Sequence, residues 1–495
     1  MMLLISSAAI PPNLTQTIYV DSFFGSDVYN GFTTATALKT IQRAVDIARP
    51  GSTIYVRSGT YNENIIIRQS GIEDARITLK SYSGESVVID GGNRIALQTA
   101  GPVEYWILEG LTIRSTNRYT LRLGWWREAN TSHWIVRNND IYGANFLMGS
   151  FHLWENNNID GTGYGGKLGD AGISDGGDSH HNIYRNNTIH DFTHHDARGI
   201  WSQGLTHDSI IENNTIFNIQ ASTGLGQGID LDGAGNVEWR HIVRGNTVYN
   251  CSYVGIQLEN TFDTVVENNL ISQGQAGIIV INYDHTIGCG IGGENNQYGD
   301  SNGNKSCRGE LTNIIIRNNI ITTPGSWEPG YGGIIVWYAG DVKIWQNHIS
   351  SSRGKANGAI NFQGKPEEVR GGSILNNIIT QGNGPAICAS DLSAFTEDDH
   401  NLFYWVDTDK PYAAGNNCSP EYSLAEYQRW SGKAIDSQII IPEFNSLQSW
   451  FFCAVLQTQT NLQNIYGGIT GRYAFPKRGN HQMSTYENPG SNINE

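Results

Sequence analysis

Residues 255–282 read GIQLENTFDTVVENNLISQGQAGIIVIN. Two runs that open on Gly-Ile, at Gly255 and Gly277, enclose an Asn-Asn-Leu-Ile element at Asn268. Each apolar run is too short for a helix and is bounded by Gly, Asn and Ser, which predicts short strands joined by turns. The same two elements recur in both directions along the chain. The second asparagine of the Asn-Asn element, or its equivalent, falls at Asn139, Asn157, Asn187, Asn214, Asn246, Asn269, Asn319, Asn347, Asn377 and Asn401. The Gly-Ile element recurs at Gly172, Gly199, Gly228, Gly255, Gly277 and Gly333, with Ala-Ile at Ala359.

Apart from one interval of 50, the asparagines are 18 to 32 residues apart, and no helical pattern lies between them. Parallel strands need long connections, and a chain that coils on itself supplies them. The fold class expected is therefore all-β: a right-handed parallel β-helix, with coils stacked about 4.8 Å apart. The long interval predicts an excursion over residues 284 to 312. The asparagine columns read as architecture, because asparagine tolerates left-handed turns and stacked amides form ladders.

Composition agrees. The 495 residues include 58 glycines, 39% apolar and 16% charged side chains, with a net charge of −15. That balance excludes a disordered chain, a coiled coil and a helix bundle. It also argues against a nucleic-acid partner, which requires a basic face, and no run reaches membrane-spanning length. Residues 1–15 read as a clipped export signal, and residues 16–50 as an N-terminal cap. Within the cap, TALKTIQRAVDIA at 36–48 is the expected capping helix, stopped by Pro50-Gly51. The β-helix is expected over 51–404, and a C-terminal cap and irregular tail over 405–495. A short helix is expected in SLAEYQRWSG within that cap. Six cysteines are too few for a disulfide scaffold. Cys289 with Cys307, and Cys388 with Cys418, are the pairs that would fasten loops and mark an oxidising compartment. Cys251 reads as a buried thiol, and Cys453 has no assignment.

Alternation fixes which side chains leave the core. Counting each glycine as zero, positions two and four face outward. These columns hold Trp201 and Gln203, Asp230 and Asp232, Gln257 and Glu259, Ile279 and Ile281, Ile335 and Trp337, then Asn361 and Gln363. Three carboxylates are thus expected side by side on an open sheet face, although like charges on neighbouring rungs repel. Asp232 and Glu259 would lie one coil apart, about 5 Å, and Asp230 about 7 Å along the strand from Asp232. These separations bracket the retaining and inverting glycosidase geometries, and repulsion would raise one carboxyl pKa while leaving the other ionised. Flanking turns add His194, His195, Asp196, Arg198 and Gln227 on one side. His207, Asp208, Asn260, Asn282, Asp284 and His285 lie on the other. The whole reads as a groove for a saccharide chain, with Trp201 and Trp337 as stacking platforms.

The opening IYVDSFFGSDVYNGFTTATALKTIQRAVDIARPGSTIYVRSGTYNENIII resembles the start of the pectin-lyase-like right-handed β-helix proteins. It has a Gly-Ser-Asp loop, a KTIQ-type helix and a Pro-Gly-x-x-Ile-x-Val-x-x-Gly-x-Tyr first coil. The later coils and NLFYW…YSLAEYQRWSG are similar to the repeat and C-terminal parts of that group. The resemblance implies the fold, and it admits lyases, glycoside hydrolases, uronate epimerases and noncatalytic members. The reading adopted is a secreted or periplasmic, monomeric glycoside hydrolase acting on a polysaccharide or oligosaccharide. Asp230, Asp232 and Glu259 supply acid and base or nucleophile, with His195 and Arg198 beside them and no cofactor. Gln203, His207, Gln227, Gln257, Asn260, Asn282, Asp284 and the two tryptophans would bind substrate. The resemblance also implies a lyase in which the three carboxylates hold Ca²⁺ and Arg198, His195 or Lys167 removes a proton. No lysine stands in the outward columns beside the carboxylates. A nonenzymatic carbohydrate-binding protein is the third reading. The Asp-Pro-His motif of the epimerases is matched only in part by HHDAR.

Overall fold

The computed structural model describes residues 16–440, apart from 126–130, 163–170, 234–237, 283–310, 324–331, 352–357, 382–383, 405–409 and 416. The chain separates into one unit, Met1–Ile441, and a second, Pro442–Glu495, which lies outside the described residues. Lys167, Asp284, His285, Cys289, Cys307 and Cys453 also lie outside them.

Each coil contributes one strand to each of three 14-stranded sheets. In one coil Ile183–Arg185 enters the first sheet, Thr188–His190 the second and Arg198–Gly204 the third, before Ile210–Glu212 returns to the first. The ladders are parallel except at the C-terminal edge, where Tyr412–Ala414 meets Glu421–Tyr422 antiparallel. The chain is a right-handed parallel β-helix. Its core is filled by inward columns such as Ile200, Ile229, Ile256, Ile278 and Ile334.

The two roles expected of one asparagine column fall to two neighbouring residues. The first asparagine of each pair turns the corner in the left-handed region, as at Asn138, Asn186, Asn213 and Asn268. The second is buried and builds the ladder. Asn214 donates its backbone N–H and Nδ2 to Asn246 Oδ1 at 2.9 and 3.0 Å, and Nδ2 also reaches the Tyr184 carbonyl at 2.8 Å. The amide ladder runs from Asn139 to Asn401. The recurrent glycines answer a different need, close approach. A Cβ on Gly255 would stand 2.3 Å from Ile271 Cγ2 and 2.9 Å from the Gly277 carbonyl, so no larger residue fits between the sheets there.

The helix expected over 36–48 is shorter, Ile41–Ile47, with Ile41, Ala44 and Val45 buried. Its Gln42 amide accepts from Ile66 N–H at 2.7 Å and donates to Ile66 carbonyl at 3.1 Å. Those two groups belong to Ile65–Ile67, the first strand of the third sheet, so the side chain takes the place of a missing neighbour. At the other end Leu424–Ser431 is a helix with a Ser423/Glu426 capping box and Gly432 left-handed at its C-terminus. Cys388 and Cys418 are disulfide-bonded, and Cys251 is a buried thiol.

Candidate functional site

The third sheet positions the carboxylates. Arg198–Gly204, Gln227–Asp232, Val254–Glu259 and Ala276–Ile281 are consecutive parallel rungs. Register sets Trp201 opposite Asp230 and Asp230 opposite Gln257; Gln203 faces Asp232, and Asp232 faces Glu259. The outward columns are therefore the ones the alternation predicts. Their surroundings differ from the expected open face. Asp230 is 0% and Asp232 7% exposed, and Gln227 and Gln257 are buried as well. The next coil presents Ile279 and Ile281, with Ile335 beyond, all buried in an apolar cluster against which Trp337 packs. On the C-terminal side of Glu259 the outward columns are therefore apolar and buried. Trp201, Gln203 and Glu259 retain partial exposure.

Polar contacts tie the group together. Arg198 Nε donates to Asp230 Oδ2 at 2.6 Å, and its Nη1 donates to the Asp196 carbonyl at 3.1 Å. The guanidinium lies 4.4 Å from the Trp201 ring centroid, a cation–π contact that fixes both groups. Trp201 Nε1 donates to Asp232 Oδ2 at 3.2 Å, and Gln257 Nε2 to Glu259 Oε2 at 3.3 Å. Burial pushes the Asp230 carboxyl up to about 7; Arg198 opposes this, and the Asp232 charge adds to it. Burial, then the charges of Asp232 and Asp230, hold the Glu259 carboxyl well above the usual range, with Arg198 acting in the opposite sense. Glu259 therefore keeps its proton at neutral pH.

The first sheet shows what an unused face looks like. Its outward column alternates Glu109, Arg137, Glu155, Arg185, Glu212, Arg244, Glu267 and Arg317. Arg185 and Arg244 contact Glu155 and Glu212 at 2.7 and 2.6 Å, and Arg137 and Arg317 are paired likewise. On the third sheet three carboxylates stand together on two adjacent rungs, and Arg198 pairs with Asp230.

Several expected participants stand elsewhere. His195 is exposed and pairs with Asp196 at 3.0 Å, so its partner is a turn residue and not one of the sheet carboxylates. His194 is buried near Phe192. His207 lies beyond the sheet, stacked between His180 and Trp239 at 4.8 and 4.7 Å. Asn260 and Asn282 are buried at the end of the third sheet, where their backbone N–H groups donate to the Ile281 and Trp337 carbonyls at 2.9 and 3.0 Å. Trp337 donates to Gln363 at 3.0 Å, two coils past Glu259.

The pattern conceals a buried acidic cluster. Asp175 occupies an inward position, in register with Ser202 and Leu231, and accepts from Tyr184 Oη at 2.6 Å. Burial raises its carboxyl. Glu238 is fully buried 3.6 Å from His241 Nε2. Its carboxyl is raised well above the usual range by burial and then by Asp175, with the Asp232 and Asp230 charges contributing. The signal for Asp175 is present in GISD, where a carboxylate takes the core position that holds leucine or valine in other coils. Glu238 has no such signal.

The donor chemistry of Asp230, Asp232 and Glu259 suits a hard cation. Their geometry does not, because their oxygens do not converge on one point. Groups of three ligands converging within 4.8 Å occur elsewhere among the described residues, and this trio is not one of them. The described residues do not fit a Ca²⁺ cage.

Residues 112–292 match the family described as a right-handed beta helix region. Pectate lyase PEL9 of Emericella nidulans is 49% identical over 87 residues, covering 17% of this chain and 21% of that protein. The uncharacterized protein YwoF of Bacillus subtilis is 28% identical over 128 residues, 24% of this chain and 27% of that protein. The chain thus spans about a quarter or less of the length of these curated relatives. A mannuronic acid specific polysaccharide family 6 lyase from human gut microbiota has a solved structure that superposes with a TM-score of 0.52 at 13% identity. The match covers 84% of this chain and 90% of that one. Residues 112–292 are thus a right-handed beta helix region, and the chain shares the β-helix fold of that lyase.

Proposed function

We propose that the protein is a polysaccharide- or oligosaccharide-cleaving enzyme, and that it is a glycoside hydrolase with Asp232 and Glu259 as its reacting carboxyls. The observation that carries this reading is their register on adjacent coils, with one carboxyl kept protonated by burial and the other supplying charge beside it. A one-coil separation of about 4.8 Å suits the retaining geometry of roughly 5–5.5 Å better than the 6.5–9.5 Å of inversion. Glu259 donates its proton to the glycosidic oxygen while Asp232 attacks the anomeric carbon. Water then cleaves the glycosyl ester, returning a proton to Glu259. The Trp201 indole N–H orients Asp232, and Arg198 with Asp230 fixes Trp201. Trp201 and Gln203, at the partly exposed edge of the group, would contact sugar.

The test incubates the full chain with neutral and uronic glycans. New reducing ends without an ultraviolet-absorbing unsaturated product support hydrolysis. Full activity in both Asp232→Ala and Glu259→Ala would remove these residues from the mechanism.

A lyase is the second reading, and the stretch shared with a pectate lyase favours it. Elimination needs a base near a uronate. Arg198 is bound to Asp230, and His195 faces Asp196. An unsaturated product, lost on chelation, would select this reading. We further propose that the protein acts outside the cytosol, as a secreted or periplasmic enzyme; the Cys388–Cys418 disulfide supports this.

A further inference from the structure

The turn that follows the third sheet gathers imidazoles. His180 and His207 are bridge partners on consecutive coils, and His207 is in turn bridged to Trp239. One residue further along the chain, His181 and Asp208 occupy the corner with φ of 55° each. His181 N–H donates to the His207 carbonyl at 3.2 Å, which keeps the two coils in step. Four ligand-bearing residues therefore form a two-by-two array across one coil boundary.

Packing holds their rings. His207 is sandwiched between His180, at 4.8 Å and 13°, and Trp239, at 4.7 Å and 9°. His181 stacks on Phe151 at 5.0 Å and 26°. His180 Nδ1 and His181 Nδ1 are 2.9 Å apart, and His207 Nδ1 is 2.7 Å from Asp208 Oδ2. His181, His207 and Asp208 each offer a ligand atom within 4.8 Å of the other two. A tetrahedral ion with metal–nitrogen bonds of about 2.0–2.1 Å sets its ligands roughly 3.4 Å apart. The three convergent ligand atoms lie within 4.8 Å of one another, close to that spacing.

We propose that His181, His207 and Asp208 bind a divalent transition-metal ion of the Zn²⁺ class, clamping two consecutive coils, with His180 packing His207 in place. Two imidazoles and one carboxylate select such an ion over Ca²⁺ or Mg²⁺, which take oxygen ligands. The outer shell is already built. Asp178 Oδ1 lies 3.8 Å from His207 Nε2. Once Nδ1 gives its proton up to take the metal, Nε2–H faces Asp178 in the carboxylate–histidine–metal arrangement. Arg240 Nε and Nη2 hold Asp208 at 2.7 and 2.5 Å. Asp178 and Asp208 outnumber Arg240 by one charge, which leaves the array net negative toward a cation. The two other convergent groups, Asp160/His190/Asp191 and Asp399/His400/Asp436, have one imidazole each and serve as internal controls.

The test uses the full chain stripped with chelator, titrated calorimetrically with Zn²⁺ alone, and separately with Co²⁺ to read tetrahedral coordination from visible absorption. One saturable equivalent and a tetrahedral Co²⁺ spectrum are expected. His181→Ala, a change at an exposed corner, should weaken binding about tenfold or more, and Asp178→Asn should weaken it within the 10- to 100-fold range typical of outer-shell partners. His190→Ala should leave binding unchanged. Circular dichroism and the unfolding midpoint without metal establish that each variant is folded. No saturable Zn²⁺ binding by the wild type, or equal binding by His181→Ala, overturns the proposal. Loss of binding in His190→Ala with retention in His181→Ala assigns the ion elsewhere and overturns it too.

Discussion

Replacing Asp230 by asparagine isolates the energetic consequence of burying a carboxyl in the third sheet. The ordinary carboxyl value of 3.8 rises to about 7 in the folded protein, through burial first. Between these values the folded chain retains a proton that the unfolded chain has released, so stability falls as pH rises. At about 1.4 kcal/mol per pH unit, the interval integrates to about 4 kcal/mol. That contribution is fully present below the unfolded value and is lost by the time pH passes about 7. The amide introduced by Asp230→Asn keeps the shape of the carboxyl and does not titrate. The stability of wild type minus that of Asp230→Asn should therefore decline by about 4 kcal/mol from roughly pH 4 to pH 7. The raised carboxyl of Asp398 is present in both proteins and drops out of the difference; Glu238 and Glu259 feel the Asp230 charge only once Asp230 ionises, so their response falls above about pH 7, outside that range. Urea unfolding across this range measures it, with equal slopes against denaturant required for the comparison. A pH-independent difference, or one that rises with pH, would refute the reasoning.

Glu259→Gln should lower kcat about 10²–10⁴-fold on a substrate whose leaving group must be protonated, and far less on an aryl glycoside with an acidic leaving group. Equal losses on both substrates would count against Glu259 as the acid. Asn246→Ala removes the acceptor of Asn214 N–H and Nδ2 and the donor to Ile211 carbonyl and Asn269 Oδ1. At about 1–3 kcal/mol for each group left unpaired in the interior, the loss should be about 3–6 kcal/mol by urea unfolding. The disulfide between Cys388 and Cys418 closes a separation of 30 residues, and the double Ala variant should lose about 3–4 kcal/mol by the chain-entropy relation. An unchanged thermal midpoint would show that the C-terminal coils do not unfold with the rest.

The fold was legible because a coil repeats its chemistry. Asn-Asn-x-Ile and Gly-Ile mark the corner and the close approach in every turn, and the side-chain period of two then assigns inside and outside without structural help. The same arithmetic put Asp232 and Glu259 in one column and placed Asp230 with Trp201 in the other. The neighbours across the face were hidden from it. A repeat pattern reports which way a residue points, not what lies over it, so the expected solvated groove became a buried group bounded by Ile279 and Ile281. The pattern places His207 in a flanking turn, and it stands in one, three residues past the end of Arg198–Gly204; the stack it joins there is what the pattern could not show. The Glu/Arg column of the first sheet was available to the same reading, since every member from Arg137 to Arg317 stands two residues before a ladder asparagine.

That column gives the acidic group of the third sheet its meaning. A β-helix of this sequence pairs carboxylates with guanidinium groups rung by rung, at contacts such as Arg244–Glu212 at 2.6 Å, so charge on its faces is ordinarily neutralised where it stands. Beside Arg198 three carboxyls stand on two adjacent rungs, with Asp230 and Asp232 withdrawn from solvent, where charge is most costly. Protonation resolves the conflict, and burial first and then Asp232 direct the proton to Glu259. The features least favourable to stability are thus the ones that make neighbouring carboxyls chemically unequal, and that inequality is the requirement for an acid and a nucleophile to work as a pair.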